Sequence, residues 1–301
     1  MRVNWNGVIP AMTTPFNADL GVDDGLLAQH ARWLVDRGSV GLVPLGSLGE
    51  SATLNSAEKR AILETCVKAA GNRVPIIAGI AALSTAEAVR LATDAKSIGC
   101  SGLMVLPPYV YSTDWREMKA HVRAVIAATD LPCMLYNNPV AYKTDFLPTH
   151  IAELAAELPN LHAVKESSTD VRRVTGIRAL VGDRVQILCG VDDAIVEAVY
   201  AGATGWIAGL VNAFPAESVA LYRLAAEGRK NEAAALYDWF LPLLRMDTVP
   251  KFVQLIKLAQ QRVGMGRELV RPPRLPLEGA ELREATAALD KALATRPALE
   301  T

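Results

Sequence analysis

The sequence predicts an α/β protein of the (β/α)8, or TIM, barrel type with a C-terminal helical appendage. Three observations carry that prediction: short β-branched runs alternate with longer amphipathic ones, eight such pairs can be counted, and about seventy residues that read as helix remain after the eighth. The strand-like runs begin near Val8, Gly41, Pro75, Gly102, Pro132, Leu161, Val185 and Thr204. Each is followed by a helical stretch opened by a capping or turn residue. In the first helix Asp23 or Asp24 caps, then Leu26, Leu27, His30, Trp33 and Leu34 recur at helical spacing before Gly38 ends it. Ser56 to Ala70 and Ser84 to Ile98 repeat the pattern. Residues 1–228 are therefore expected to form the barrel carrying the active site, and residues 229–301 an α-helical extension. Pro272, Pro273 and Pro276 interrupt that extension beside Arg271 and Arg274, a stretch that reads as a solvated or subunit-facing loop.

Composition narrows the function. The chain has 301 residues, 51% of them hydrophobic, enough to bury a large core. Its 31 basic and 32 acidic side chains nearly cancel, leaving a net charge of -1 and no electrostatic footprint for nucleic acid. No apolar run reaches the roughly 20 residues that span a bilayer, and the first residues lack the apolar region of a signal peptide, so a cytoplasmic protein without a membrane partner is expected. Cys66, Cys100, Cys133 and Cys189 lie far apart in apolar stretches and read as buried, reduced thiols rather than metal ligands.

In such a barrel the reactive groups come from the carboxyl ends of the strands and the loops after them. Three segments there hold residues that an inert core does not need. Leu45-Gly46-Ser47-Leu48-Gly49-Glu50-Ser51 follows the second run, and its glycines let a turn expose successive backbone N–H groups to a carboxylate. Read alone, the turn is better explained as a helix-entry loop. Met134-Leu135-Tyr136-Asn137-Asn138-Pro139 ends a strand on a phenol, which taken singly fits a core tyrosine better than a proton carrier. Leu161-His162-Ala163-Val164-Lys165-Glu166 places a lysine at a strand end, where partial desolvation favours the neutral amine that attacks carbonyls. An ion pair with Glu166 or another carboxylate is the open alternative. Together the segments favour chemistry, since Tyr136 and Lys165 belong to neighbouring strands and the Ser47 loop lies above them. Asp192 and Asp193 resemble a metal pair but sit where a helix cap is expected. His30, His121, His150 and His162 form no motif, and His162 reads as a satisfied core residue.

These segments resemble the dihydrodipicolinate synthase and N-acetylneuraminate lyase family of Schiff-base lyases. The resemblance covers the whole chain. It comprises Gly7-Val8-Ile9-Pro10-Ala11-Met12-Thr13-Thr14-Pro15-Phe16, the loop from Gly46 to Glu50, Tyr136-Asn137-x-Pro139, Lys165-Glu166, Gly190-x-Asp192 and Gly202-x-x-Gly205. It implies that Lys165 forms the Schiff base with a 2-oxo acid, that Tyr136 relays protons, and that Ser47 with the Leu48 amide holds the substrate carboxylate. Gly46, Gly190 and Ile207 complete the implied substrate wall. Tyr111 resembles the tyrosine that such enzymes lend to a neighbouring subunit, with Tyr109 as its competitor. The resemblance further implies no metal or organic cofactor, a small-molecule 2-oxo acid or cyclic imine as substrate, and a homo-oligomer, usually a tetramer built as a dimer of dimers.

Two departures bear on the substrate. Dihydrodipicolinate synthases resemble Tyr-Asn-x-Pro-x-Arg, whose arginine grips a second carboxylate, where this chain has Ala141; they also carry a second hydroxyl residue where it has Leu48. Sialic-acid lyases want polar residues for a long polyol, where Leu48, Ala141 and Tyr142 stand. Val110-Tyr111-Ser112, Tyr136-Asn137-Asn138-Pro139 with Tyr142-Lys143, Ser167-Ser168 with Asp170 and Arg172-Arg173, Gly205-Trp206, Asn212-Ala213-Phe214-Pro215 and the tail from Lys291 to Leu299 are more similar to the subgroup that deaminates 1-pyrroline-4-hydroxy-2-carboxylate in hydroxyproline breakdown. That subgroup's glycine loop usually differs from Gly46-Ser47-Leu48. The alternatives are a 2-keto-3-deoxy sugar acid dehydratase, a pyruvate-dependent aldolase, dihydrodipicolinate synthesis itself, or a non-catalytic 2-oxo acid sensor.

Overall fold

The computed structural model describes residues 3–108 and 114–299. Seven parallel strands form the sheet: β1 (Gly7–Pro10), β2 (Ile77–Ile80), β3 (Gly102–Val105), β4 (Cys133–Asn137), β5 (Leu161–Glu166), β6 (Gln186–Cys189) and β7 (Gly205–Ala208). Their order is β1-β7-β6-β5-β4-β3-β2. The expected second strand survives only as two residues, with parallel bridges from Val43 to Ala11 and from Leu42 to Ile76. Those residues still close the ring, because the Val43 N–H donates to Pro10 O at 2.8 Å and the Ile77 N–H to Leu42 O at 2.9 Å. The stave is short for a local reason: Pro44 has no N–H to continue a ladder, and Leu45 turns away at φ 66°. The result matches the expected TIM barrel.

Every residue of β2, β3, β4 and β7 is buried, as parallel strands require when side chains fill the barrel on one face and helices cover the other. His162 is the correction within β5. It is exposed near the strand's amino end rather than in the core.

The covering helices start where their caps place them. Asp23 accepts from the Leu26 N–H at the start of α1 (Asp24–Asp36). Asn55 and Glu58 form a reciprocal capping box on α2 (Ser56–Ala70), which stops at Gly71 in the left-handed region. Ser84 caps α3 (Thr85–Ile98). Around the ring follow α4 (Trp115–Ala127), the single turn α5 (Pro139–Tyr142), α6 (Pro148–Glu157), α7 (Arg172–Val181), α8 (Ile195–Tyr200) and α9 (Pro215–Ala226).

Beyond residue 229 come α10 (Lys230–Leu244), α11 (Phe252–Arg262) and α12 (Gly279–Ala294), with a non-helical stretch over residues 263–278 that holds the interrupting prolines. The α11 helix is held to the barrel by buried polar contacts: Thr13 donates to Gln260 at 2.7 Å, and Lys257 meets Glu50 at 2.6 Å. The prolines' neighbour Arg271 is also anchored. Its guanidinium binds Glu58 at 2.6 Å and Leu20 O at 2.7 Å, while Pro272, Pro273, Leu275 and Pro276 around it are exposed. All four cysteines are buried and free, as expected.

Candidate active site

A cavity of about 480 Å³ opens at the carboxyl ends of the strands. Gly46, Ser47, Leu48, Tyr136, Lys165, Gly190 and Ile207 all line it, so the structure brings together every expected site residue among those described. Tyr111, and its competitor Tyr109, lie outside the described residues.

Strand register builds the centre. Tyr136 on β4 is the partner of Lys165 on β5, and Asn137 is the partner of Glu166. Alternate residues of a strand face opposite sides, so Lys165 points into the barrel mouth while Glu166 points out of it. Glu166 is occupied there by the Asn137 amide at 3.0 Å and the Ser168 N–H at 2.6 Å. The Lys165–Glu166 ion pair left open by the sequence is therefore absent. Lys165 is 6% exposed, and its nitrogen sits 4.1 Å from the centroid of the Tyr136 ring. Burial pulls its pKa down to about 8 against the opposing pull of the Asp247 and Asp192 carboxylates. A lowered pKa raises the share of neutral, nucleophilic amine near neutral pH.

Burial pushes the Tyr136 phenol up to about 12, while hydrogen bonds from Asn138, Ser167 and Ser47 act the other way. The phenol thus stays protonated and is linked to two hydroxyls that can pass a proton onward. The Ser47 hydroxyl also hydrogen-bonds the Tyr142 hydroxyl, and the Tyr142 ring meets Tyr136 edge-on at 5.8 Å.

The glycine loop is fixed from beneath. Gly79 on β2 lets the Leu45 carbonyl approach, since a Cβ there would lie 2.6 Å from it. Thr14 donates to Gly49 O at 2.7 Å, and the Glu50 side chain is buried against Lys257 and the Arg271 N–H. Among the described residues, no acceptor meets the backbone N–H groups of Gly46, Ser47 or Leu48. Unsatisfied amides in residues that line a cavity suit a carboxylate. Gly190 leaves room for two side chains, because a Cβ would overlap Ser167 Oγ and lie 2.7 Å from Lys165 Cε.

Asp192 is neither half of a metal pair nor the helix cap expected of it. Fully buried, it accepts from Trp206 Nε1 at 2.9 Å and from the N–H groups of Gly209 and Leu210 at 3.1 and 2.7 Å, and so pins the turn after β7. No cluster of metal-binding side chains occurs among the described residues. The sequence reading named no wall residue from beyond position 229, yet Asp247, Thr248, Val249, Pro250, Phe252 and Arg274 line the cavity. Asp247 ends a short turn, Arg245–Asp247, between α10 and α11, with no local motif to mark it.

An amine held above a phenol, a hydroxyl relay and a row of free amides can together capture a 2-oxo acid as an imine. Comparison with known proteins agrees with this chemistry. The profile of the dihydrodipicolinate synthetase family matches residues 4–292. A 4-hydroxy-tetrahydrodipicolinate synthase of Chelativorans sp. is 31% identical over 288 residues, covering 96% of this chain and 98% of that one. The structure of the synthase of that name from Methylacidiphilum fumariolicum superposes with a TM-score of 0.92 at 28% identity, covering 97% and 98% of the two chains. A dihydrodipicolinate synthase from Acinetobacter baumannii, solved with pyruvate, gives 0.91 at 27% identity, with 96% and 99% covered. The chain belongs to the dihydrodipicolinate synthetase family and is an enzyme of its lysine Schiff-base lyase class.

Proposed function

We propose that the enzyme acts on a small 2-oxo acid or its cyclic imine, and that it converts 1-pyrroline-4-hydroxy-2-carboxylate into 2-oxoglutarate semialdehyde and ammonia. The observation that carries the covalent chemistry is the buried Lys165 amine over the Tyr136 ring, at 4.1 Å. In this scheme neutral Lys165 attacks C2 of the cyclic imine and opens the ring, leaving C2 as a protein-bound iminium. The iminium draws electrons from C3, Tyr136 with Ser47 moves the C3 proton, and the C4 hydroxyl leaves as water. Tautomerisation makes C5 an imine, whose hydrolysis releases ammonia, and a second hydrolysis frees Lys165. The Gly46-Ser47-Leu48 amides receive the carboxylate, with Gly190 and Ile207 on the opposite wall. Leu48 and Ala141 at the cavity favour a short, weakly polar substrate over a polyol.

A specific observation favours a second reading, 4-hydroxy-tetrahydrodipicolinate synthesis from pyruvate and aspartate semialdehyde. Relatives carry that name, and Arg274 at the cavity wall is a cation able to meet a second carboxylate where Ala141 cannot. An open-chain 2-keto-3-deoxy sugar acid, dehydrated or cleaved to pyruvate, would use the same iminium. A cytoplasmic homo-oligomer, a tetramer arranged as a dimer of dimers, goes with either reading; no helix among the described residues is long and apolar enough to cross a membrane. The test offers the purified enzyme each substrate set and follows ammonia with 2-oxoglutarate semialdehyde, condensation product, or pyruvate. Ammonia release from the pyrroline supports the deaminase, whereas condensation without it selects the synthase.

A further inference from the structure

The Asp247 carboxylate faces the same cavity as Lys165 and packs so closely on Gly209 that a Cβ there would overlap it. Among the described residues no hydrogen-bond donor meets it. Gly209 follows β7, whereas Tyr136 is on β4; in the ring order these positions flank Lys165 on β5 from opposite sides. Of the titratable groups around the amine, Asp247 is its strongest electrostatic partner. The other titratable or charged groups nearby are Tyr136 from β4, Cys189 from β6, Asp192 and Asp193 after β6, and Arg274 at the cavity wall. Arg245 of the same turn is engaged elsewhere, 3.7 Å from Asp193.

Resting on the covalent-lysine part of the function above but on no particular substrate, we propose that Asp247 is the proton-transfer partner of Lys165 in Schiff-base formation with a 2-oxo acid. The Lys165 nitrogen bonds to C2, the carbonyl π pair moves to oxygen, and the proton lost by nitrogen ends on that oxygen. The Asp247 O–H then donates to the carbinolamine hydroxyl, the C2–O bond breaks, water leaves, and the nitrogen lone pair closes the C=N bond. A neutral amine and a neutral acid thus become an iminium facing a carboxylate, so the new charge is compensated where it forms. Burial and the neighbouring Asp192 raise the affinity of the Asp247 carboxyl for a proton, and Lys165 opposes them. Tyr136 is left to act at C3.

The experiment follows capture of pyruvate by borohydride reduction and intact mass from pH 6 to 9, for wild type, Asp247→Asn and Asp247→Glu. Asp247→Asn is expected to capture at least about tenfold more slowly at pH 7 with an altered pH profile, and Asp247→Glu to recover part of the rate. Capture by Asp247→Asn at the wild-type rate and with the wild-type profile overturns the inference alone. Wild type that captures neither pyruvate nor freshly generated 1-pyrroline-4-hydroxy-2-carboxylate overturns the covalent-lysine reading and the inference with it; where only the pyrroline is captured, the variants are compared on that substrate by the same two criteria. Should circular dichroism show that Asp247→Asn is misfolded, Asp247→Ser is judged by the same two criteria.

Discussion

The side chains of Lys257 and Glu50 meet at 2.6 Å with 1% and 0% of their surfaces exposed. One comes from α11 and the other from the base of the glycine loop, so the pair ties the C-terminal helices to the loop that lines the cavity. Burial lowers the Lys257 pKa to about 8 while Glu50 opposes that shift. Removing one partner leaves the other charge buried. Lys257→Met is therefore expected to lose about 3 to 5 kcal/mol in urea unfolding, and the Glu50→Gln/Lys257→Met pair to recover most of it. Equal losses in single and double variants would contradict the coupling.

Gly190 offers a test of local packing. A methyl group there overlaps the Ser167 hydroxyl and meets both Cε and Cγ of Lys165 at 2.7 Å, so Gly190→Ala is expected to shift both side chains and disturb the seating of the amine on the Tyr136 ring. Stability should fall by about 1 to 3 kcal/mol, and pyruvate capture by about a hundredfold or more. Unchanged capture would mean that the lysine position tolerates movement.

Tyr136→Phe keeps the ring beneath the amine and removes only the hydroxyl. The variant should still form the reducible adduct but turn over about 10² to 10⁴ times more slowly. Loss of the adduct would assign Tyr136 to capture instead.

His30 predicts a stability effect at acid pH. Buried with Nε2 3.0 Å from Asn212 O, it has its pKa lowered to about 4, chiefly by desolvation. Between pH 6.5 and 4 the unfolded chain takes up this proton and the folded one does not, so stability falls as pH drops through that window and levels off below it. The contribution lost by pH 5 is about 2 kcal/mol. His30→Gln should flatten that part of the profile relative to wild type, and parallel profiles would contradict the assignment.

Strand and helix alternation was legible because both faces of each stave are covered and each helix carries its own cap, which are local signals. Lys165, Tyr136 and the Ser47 loop were legible because they sit at strand ends, where packing alone does not select them. What escaped depends on partners far away in the chain. Asp192 resembled a local cap, but its acceptors serve Trp206, Gly209 and Leu210. Arg271 resembled a solvated charge until the fold brought it to Glu58, 213 residues away. Asp247 reaches the cavity only because α10 and α11 fold back over the mouth. His162 alternates with inward residues, and periodicity does not say whether a helix covers the outer face at that height.

The most direct test of the central claim treats the enzyme with freshly generated 1-pyrroline-4-hydroxy-2-carboxylate and borohydride, then maps the modified peptide by mass spectrometry, with Lys165→Ala alongside. The account predicts a reduced adduct on Lys165, ammonia released in its absence of borohydride, and neither in a Lys165→Ala protein that keeps its fold. An adduct on another lysine, or turnover that survives Lys165→Ala, would contradict it.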